Sequence, residues 1–273
     1  MTAPCIPATA PASAVEKSRI SEAFSKAAQV YSEQAKVQQR IADDLVSMVS
    51  QGINGNSSLD LGCGTGYVMS RLAQAKEQWV AVDLAQDMLS AAQQHMQNTQ
   101  SDSQVSYVQS DAESLSLQSA QFDRVVSSMA LQWVHQPSSA MAEIQRVLKN
   151  GGSAYLAILR HDSLPELHQG WQRVQQGYRV TPFMGRDMWM MAVQQAGLSV
   201  VSLEKRLYTT WHDNLLALLH SIKGIGAGST ASQHTPSIRK ADLHQLSQWW
   251  GLNYAEKGQL RLTYSVDFWQ LKK

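Results

Sequence analysis

"LDLGCGTGYV", residues 59–68, sets three glycines within five positions directly after a short apolar run. Glycine tolerates left-handed backbone and leaves room for a ligand to approach the main chain. A G-x-G loop between a strand and a helix uses that freedom where the first N–H groups of the helix point outward. The dinucleotide fingerprint G-x-G-x-x-G would need glycines at 62, 64 and 67. Position 67 is Tyr67, and the pattern is D-x-G-x-G-x-G through Asp60, Gly62, Gly64 and Gly66. A glycine triplet alone also fits a purely structural turn.

The flanking sequence alternates between strand and helix patterns. "SLDL", "WVAVDL" (79–84), "VSYVQSD" (105–111), "FDRVVSSM" (122–129) and "SAYLAIL" (153–159) are short apolar runs. Residues 67–75, 85–96 and 137–149 between them carry helical spacing, with Met141, Ile144, Val147 and Leu148 on one face of the last. Pro137 suits the first turn of that helix and Gly151-Gly152 suit its end. The alternation predicts βαβ units: a doubly wound, mostly parallel, Rossmann-like α/β sheet with helices on both faces. Upstream, Ile20, Phe24, Ala27 and Tyr31, then Val37, Ile41, Leu45 and Met48, predict two helices within 19–49. Downstream, helical segments at 163–176, 186–197, 213–223 and 239–250 interleave with strands at 198–211 and 259–273. These two late strands bring the expected sheet to seven. The organisation expected is a disordered tail (1–18), a helical cap (19–50), a ligand-binding core (51–160), and a helical lid with the last strands (161–273).

Two acids sharpen the glycine loop. Asp83 ends the second strand, 17 residues past Gly66, and Asp111 ends the third. The first can accept both hydroxyls of a ribose. The second can accept from an adenine amino group while the backbone after it reads a ring nitrogen. Each also has a bland reading, a helix cap for Asp83 and a loop acid for Asp111. Together, at the carboxyl ends of consecutive strands, they point to a nucleoside ligand.

Composition narrows the rest. The chain of 273 residues is 44% apolar, with no run of eighteen apolar residues, so no membrane partner is expected. Residues 1–18 are rich in Ala, Pro, Ser and Thr and lack a basic start followed by an apolar run, unlike a secretory signal. Cys5 and Cys63 suggest neither a disulfide framework nor a metal site, and a cytoplasmic location is expected. Net charge is +1, poor support for nucleic-acid binding. That average hides 10 basic against 14 acidic residues up to 159, and 13 against 8 beyond it. The basic second half suits an acidic partner.

"LDLGCGTG", "VAVDLAQDML", "SDAESL", "FDRVVSSMALQWV" and "AEIQRVLKNGG" together resemble the class I S-adenosylmethionine-dependent methyltransferases over roughly residues 57–160. The resemblance implies that the stretch with Asp60, Gly62, Gly64 and Gly66 faces the methionine part of S-adenosylmethionine. It implies that Asp83 binds the ribose and Asp111, with Ala112 and Glu113, the adenine. Leu84, Met88 and Ala112 would line the adenosyl pocket, and Ser128, Met129 and Trp133 would border the reactive methyl. Trp133 equally suits core packing.

The flanks "AFSKAAQVYSEQAKVQQRIADDL" (23–45), "SLPELHQGW" (163–171), "SIKGIGA" (221–227) and "LTY" (262–264) are similar to the malonyl-acyl carrier protein O-methyltransferase family of biotin synthesis. That resemblance runs from about residue 20 to residue 273. It implies methylation of the free carboxylate of malonyl-acyl carrier protein, or of malonyl-coenzyme A, with S-adenosylhomocysteine as product. A carboxylate with a pKa near ~4 is already ionised and needs no general base, so neither an acid–base pair nor a metal is expected. Tyr31, Gln38, Trp133 and Lys223 are the candidates for positioning, with Gln38 also a cofactor ligand. Core tyrosine, surface glutamine and solvated lysine are the bland alternatives. "MWMMAV" (188–193) suits either a thioester channel or a helix buried on the sheet. Arg173, Arg179, Arg186, Lys205, Arg206, Lys223, Arg239 and Lys240 would steer an acidic carrier. A monomer is expected. A class I enzyme acting on a small acid or a quinone-like carbon is the alternative activity, and a non-catalytic cofactor-binding scaffold the alternative class.

Overall fold

The computed structural model describes Lys17, Ser21, Glu22, Ser25 and residues 36–50, 56–73, 77–99, 103–174, 183–224 and 239–273. Among them, β1 (Ser57–Leu61), β2 (Gln78–Asp83), β3 (Gln104–Gln109), β4 (Phe122–Ser128), β5 (Leu148–Leu159), β6 (Ser199–His212) and β8 (Gln259–Lys272) form one sheet in the order β3-β2-β1-β4-β5-β8-β6. The two-residue β7 (Ala255–Glu256) pairs on β8, making eight strands where seven were expected. β1 to β5 pair in parallel. β8 runs antiparallel to both β5 and β6. The strand order reverses between β1 and β4, and a parallel sheet opens a crevice at the carboxyl ends of its strands at that point.

The central strands are apolar on both faces because helices cover both. On β5, Tyr155, Ala157 and Leu159 join one core while Ala154, Leu156 and Ile158 join the other. The first core takes α1 (Lys36–Ser50), α2 (Tyr67–Leu72), α3 (Gln86–Gln97), α5 (Pro165–Arg173), α7 (Leu215–Gly224) and α8 (Lys240–Tyr254). The second takes α4 (Pro137–Val147) and α6 (Arg186–Gln195). In α1 the buried residues Val37, Ile41, Leu45 and Val49 recur every four positions, the stripe of a helix lying on a sheet.

Several boundaries differ from the sequence reading for local reasons. α4 ends at Val147, two residues early, and β5 starts at Leu148 rather than 153, with Gly151 in the left-handed region at φ 77 where the pairing with β4 shifts register. α5 starts at Pro165 because Leu164 is itself left-handed at φ 58 and cannot continue a helix. Lys17, within the segment read as a tail, is helical and its ammonium reaches the sheet. Among the described residues, no helix is long and apolar enough to cross a membrane.

Candidate active site

The glycine loop hooks over the end of β2. The Gly62 and Cys63 amides both donate to the Val82 carbonyl, at 2.8 and 2.9 Å. The three glycines are left-handed, with φ 72, 52 and 78. Their reasons differ. A Cβ on Gly62 would stand 2.2 Å from Ala130 Cβ, and one on Gly66 would press on Ala92 of α3 at 3.1 Å. A Cβ on Gly64 would meet nothing within 4 Å. Gly64 therefore fronts open space, the cradle a ligand needs.

That space is a cleft of about 1210 Å³, counting its open mouth. Gln38, Asp60, Gly62, Gly64, Asp83, Leu84, Met88, Asp111, Ala112, Glu113, Ser128, Met129 and Trp133, all named from the sequence, line it together. Gly66 does not; it packs under α3 instead. Tyr31 and the side chain of Lys223 lie outside what the structure describes, as does Arg179. Sequence reasoning missed Lys17, Gln39, Ala42, Cys63, Thr65, Tyr67 and Ser110 as lining residues. Tyr67 was legible: it is the first residue of the helix after the loop, and it lines the cleft. Nothing local marks Lys17.

The acids are set for different partners. Asp83 Oδ2 accepts from the Gly64 amide and Oδ1 from the Ala85 amide, both at 2.9 Å. Burial, opposed by these amides, raises its pKa. Asp60 is 1% exposed at the end of β1, and its Oδ2 has no partner among the described residues. Burial first, and the neighbouring Asp83, push Asp60 up to about 7, opposed by the Met69 amide. Asp111 accepts from Lys17 Nζ at 2.6 Å and from the Glu113 amide at 3.0 Å. Glu113 takes the same Lys17 at 2.6 Å and also receives the His135 and Gln136 amides. Its carboxylate thus holds the chain entering α4, a structural task alongside its place in the wall. Burial and the carboxylates of Asp83 and Asp60 keep the Cys63 thiol protonated, which makes it a poor nucleophile.

The wall after β4 is equally fixed. Met129 is left-handed at φ 57, its amide donating to the Ala157 carbonyl at 2.9 Å and its carbonyl accepting from Gln132 Nε2 at 2.5 Å. Trp133 meets Phe183 edge-on with ring centroids 5.9 Å apart, so the segment after 160 touches the cleft wall there. Gln38 reaches in from α1; it is 7% exposed, and among the described residues neither amide atom has a partner.

The structure decides between the two readings of residues 188–193. α6 buries Trp189, Ala192 and Val193 in the second core, leaves Met188 and Met191 half exposed, and gives no residue to the cleft wall. "MWMMAV" is a packing helix, not a channel. "SLPELHQ" does not touch the cleft either. Ser163 exchanges hydrogen bonds with the backbone of Ser265, and buried Glu166 accepts from Arg261 Nε, Thr263 N and Thr263 Oγ1. The motif clamps β8.

A mixed sheet in this order, with a glycine loop after β1 and acids after β2 and β3, defines a class I methyltransferase fold, and residues 59–156 match the family described as a methyltransferase domain. Solved structures share the fold: YcgJ of Bacillus subtilis (17% identity, TM-score 0.59, 84% of this chain and 97% of that one) and Haemonchus contortus phosphoethanolamine N-methyltransferase 2 with S-adenosylhomocysteine bound (19%, 0.51, 85% and 52%). The malonyl-[acyl-carrier protein] O-methyltransferase of Pseudescherichia vulneris is 33% identical over 94% of this chain and 97% of its own length. This chain belongs to the malonyl-[acyl-carrier protein] O-methyltransferase family. The biotin biosynthesis bifunctional protein BioHC of Cellvibrio japonicus is 35% identical over 79% of the chain, which spans only about two-fifths of such longer relatives (42% here).

The residues present fit S-adenosylmethionine. Four carboxylates and one ammonium line the cleft, a balance suited to a ligand with two positive centres. The buried Asp60 Oδ2 and the Gln38 amide lack partners that such a ligand would supply. Among the described residues, no group of His, Cys, Asp and Glu is placed to hold a metal.

Proposed function

We propose that the chain transfers the methyl group of S-adenosylmethionine to the free carboxylate of malonyl-acyl carrier protein, releasing S-adenosylhomocysteine. The observation that carries this reading is one cleft whose wall is acidic and whose buried Gln38 and Asp60 atoms await a ligand, in a chain of this family. The cofactor, when bound, supplies an electrophilic methyl on a positively charged sulfur. Asp83 takes the ribose hydroxyls, and its own ties to Gly64 and Ala85 hold it in place for them. Asp111 takes the adenine amino group, which requires Lys17 to share or leave that carboxylate. Gln38 and Asp60 take the amino-acid end. The wall at Ser128, Met129 and Trp133 frames the approach of the acceptor, with Phe183 shielding Trp133 from water.

The acceptor carboxylate has a pKa near ~4, so it arrives ionised and asks for no proton transfer. What remains for the protein is alignment of oxygen, methyl and sulfur, and exclusion of water. The test is transfer of labelled methyl to malonyl-carrier protein, with malonyl-coenzyme A and acetyl-carrier protein alongside. A base-labile label on the malonyl substrate and none on the acetyl one is expected. No label on either malonyl substrate would overturn the reading.

A further inference from the structure

The helix that carries Gln38 is held from two sides by adjacent carboxylates. Asp43 Oδ1 accepts from Tyr67 Oη at 3.0 Å and lies 3.5 Å from Arg71 Nη2, both on α2 behind the glycine loop. Asp44 Oδ2 accepts a short hydrogen bond from Tyr208 Oη, and its Oδ1 lies 3.4 Å from Arg206 Nη1, both on the outermost strand β6. Arg40, one turn earlier, donates to the Thr209 carbonyl at 3.2 Å and lays its guanidinium 5.7 Å from the centre of the Tyr208 ring. Successive helical residues point about 100° apart, which is how neighbouring aspartates reach opposite flanks. Burial, and then the bond to Asp44, keep the Tyr208 hydroxyl protonated, so it remains a donor.

The apolar face of α1 would keep it on the sheet without these bonds, since Val37, Ile41, Leu45 and Val49 are all buried. The polar ties set its roll and tilt instead. That matters for Gln38, whose amide has no partner among the described residues to fix where it points. From Asp44 to Gln38 the helix spans about 9 Å at roughly 1.5 Å per residue. A tilt of about 6° at Asp44 therefore moves Gln38 by on the order of 1 Å, a displacement that can cost roughly 100-fold in rate.

We propose that Asp44 is a positioning residue: with Tyr208 and Arg206 it orients α1 so that the Gln38 amide meets the ligand in the cleft. The inference rests on Gln38 being a ligand contact. The test compares Asp44→Asn, Tyr208→Phe, Gln38→Ala and the double variants of each with Gln38→Ala, in the full chain. Cofactor affinity by calorimetry, kcat and KM with malonyl-carrier protein, and thermal melting are the readouts. Asp44→Asn and Tyr208→Phe should each lower kcat/KM or cofactor affinity by about 5- to 20-fold with the melting point shifted by less than about 4 °C. In the Gln38→Ala background they should cost less than about 2-fold, because the placement of an absent amide no longer matters. Asp44→Glu should restore part of the loss. Fully additive losses would overturn the proposal. A costly Gln38→Ala with silent Asp44→Asn and Tyr208→Phe would sink the clamp and leave the Gln38 contact standing. A silent Gln38→Ala would remove the Gln38 contact, and the clamp's assigned purpose with it.

Discussion

Gly62 and Gly64 share a left-handed backbone but should respond differently to the same added methyl. Gly62→Ala drives a Cβ into Ala130 as well as straining the backbone, and should destabilise the fold by about 3 kcal/mol or more. Denaturant unfolding checks this, and Ala130→Gly in the same chain should recover part of the loss. Gly64→Ala carries the strain alone, about 1 kcal/mol, but puts its methyl into the cleft, so cofactor affinity should fall further than stability does. Asp60 gives a pH signature. Its folded value of about 7 exceeds the ordinary 3.8, so between those pH values the folded chain holds a proton that the unfolded chain has released. Stability of the ligand-free protein should then decline as pH rises through that window and level off above it, and Asp60→Asn should flatten the slope. A cationic ligand favours the ionised carboxylate, so cofactor affinity should climb over the same window, with proton release visible as a buffer-dependent heat. The glycines and acids were legible in the sequence because left-handed backbone and strand-end carboxylates restrict residue type. Lys17 was not, because its ion pairs with Asp111 and Glu113 cross more than ninety positions of chain and leave no local pattern.

The segment "SLPELHQ" stands away from the cleft and braces β8 instead. Glu166 is 1% exposed and receives three hydrogen bonds from β8. Glu166→Ala should cost about 3 kcal/mol, since charge-assisted bonds are lost and a Thr263 amide is left without its acceptor. Calorimetry should show cofactor affinity unchanged, because neither residue lines the cleft. The strands and helices from 57 to 159 could be read because each βα unit repeats one hydrophobic rhythm. The helices and the two late strands of the second half were read as well, but not the order of those strands in the sheet. β8 enters between β5 and β6, and antiparallel insertion is set by which edge is free, which periodicity does not encode. For the Met-rich α6 the packing reading holds; composition left the channel open as well, and position on the helix shows that Met188 and Met191 face outward.

At the scale of the whole molecule, the ion pairs of Arg186, Lys205, Arg206 and Arg239 join residues already counted in the balance of the segment from residue 160 onward, save one tie to Asp44, so its excess of 13 basic over 8 acidic residues stands. Arg186 bonds Asp267, Lys205 bonds Asp162, Arg206 bonds Glu204 and Asp44, and Arg239 bonds Asp242. Steering of an acidic carrier by that excess should thus persist, with the paired side chains held in place on the surface. Raising salt from roughly 0.05 M to roughly 0.5 M should lower kcat/KM for malonyl-carrier protein by less than about tenfold and leave malonyl-coenzyme A nearly unchanged. A far steeper fall would show that these pairs open to meet the carrier. The sheet itself carries a further consequence, for biosynthesis. Among the described residues β6 has no strand partner except β8, and β5 has β8 on its outer edge, yet α7 and α8 are translated between β6 and β8. Until Gln259–Lys272 clears the ribosome, the nascent chain presents two strands without their partner, one of them fourteen residues long. The finished cofactor half therefore waits beside exposed, aggregation-prone backbone, and a chain interrupted before Gln259 should depend on chaperones to stay in solution.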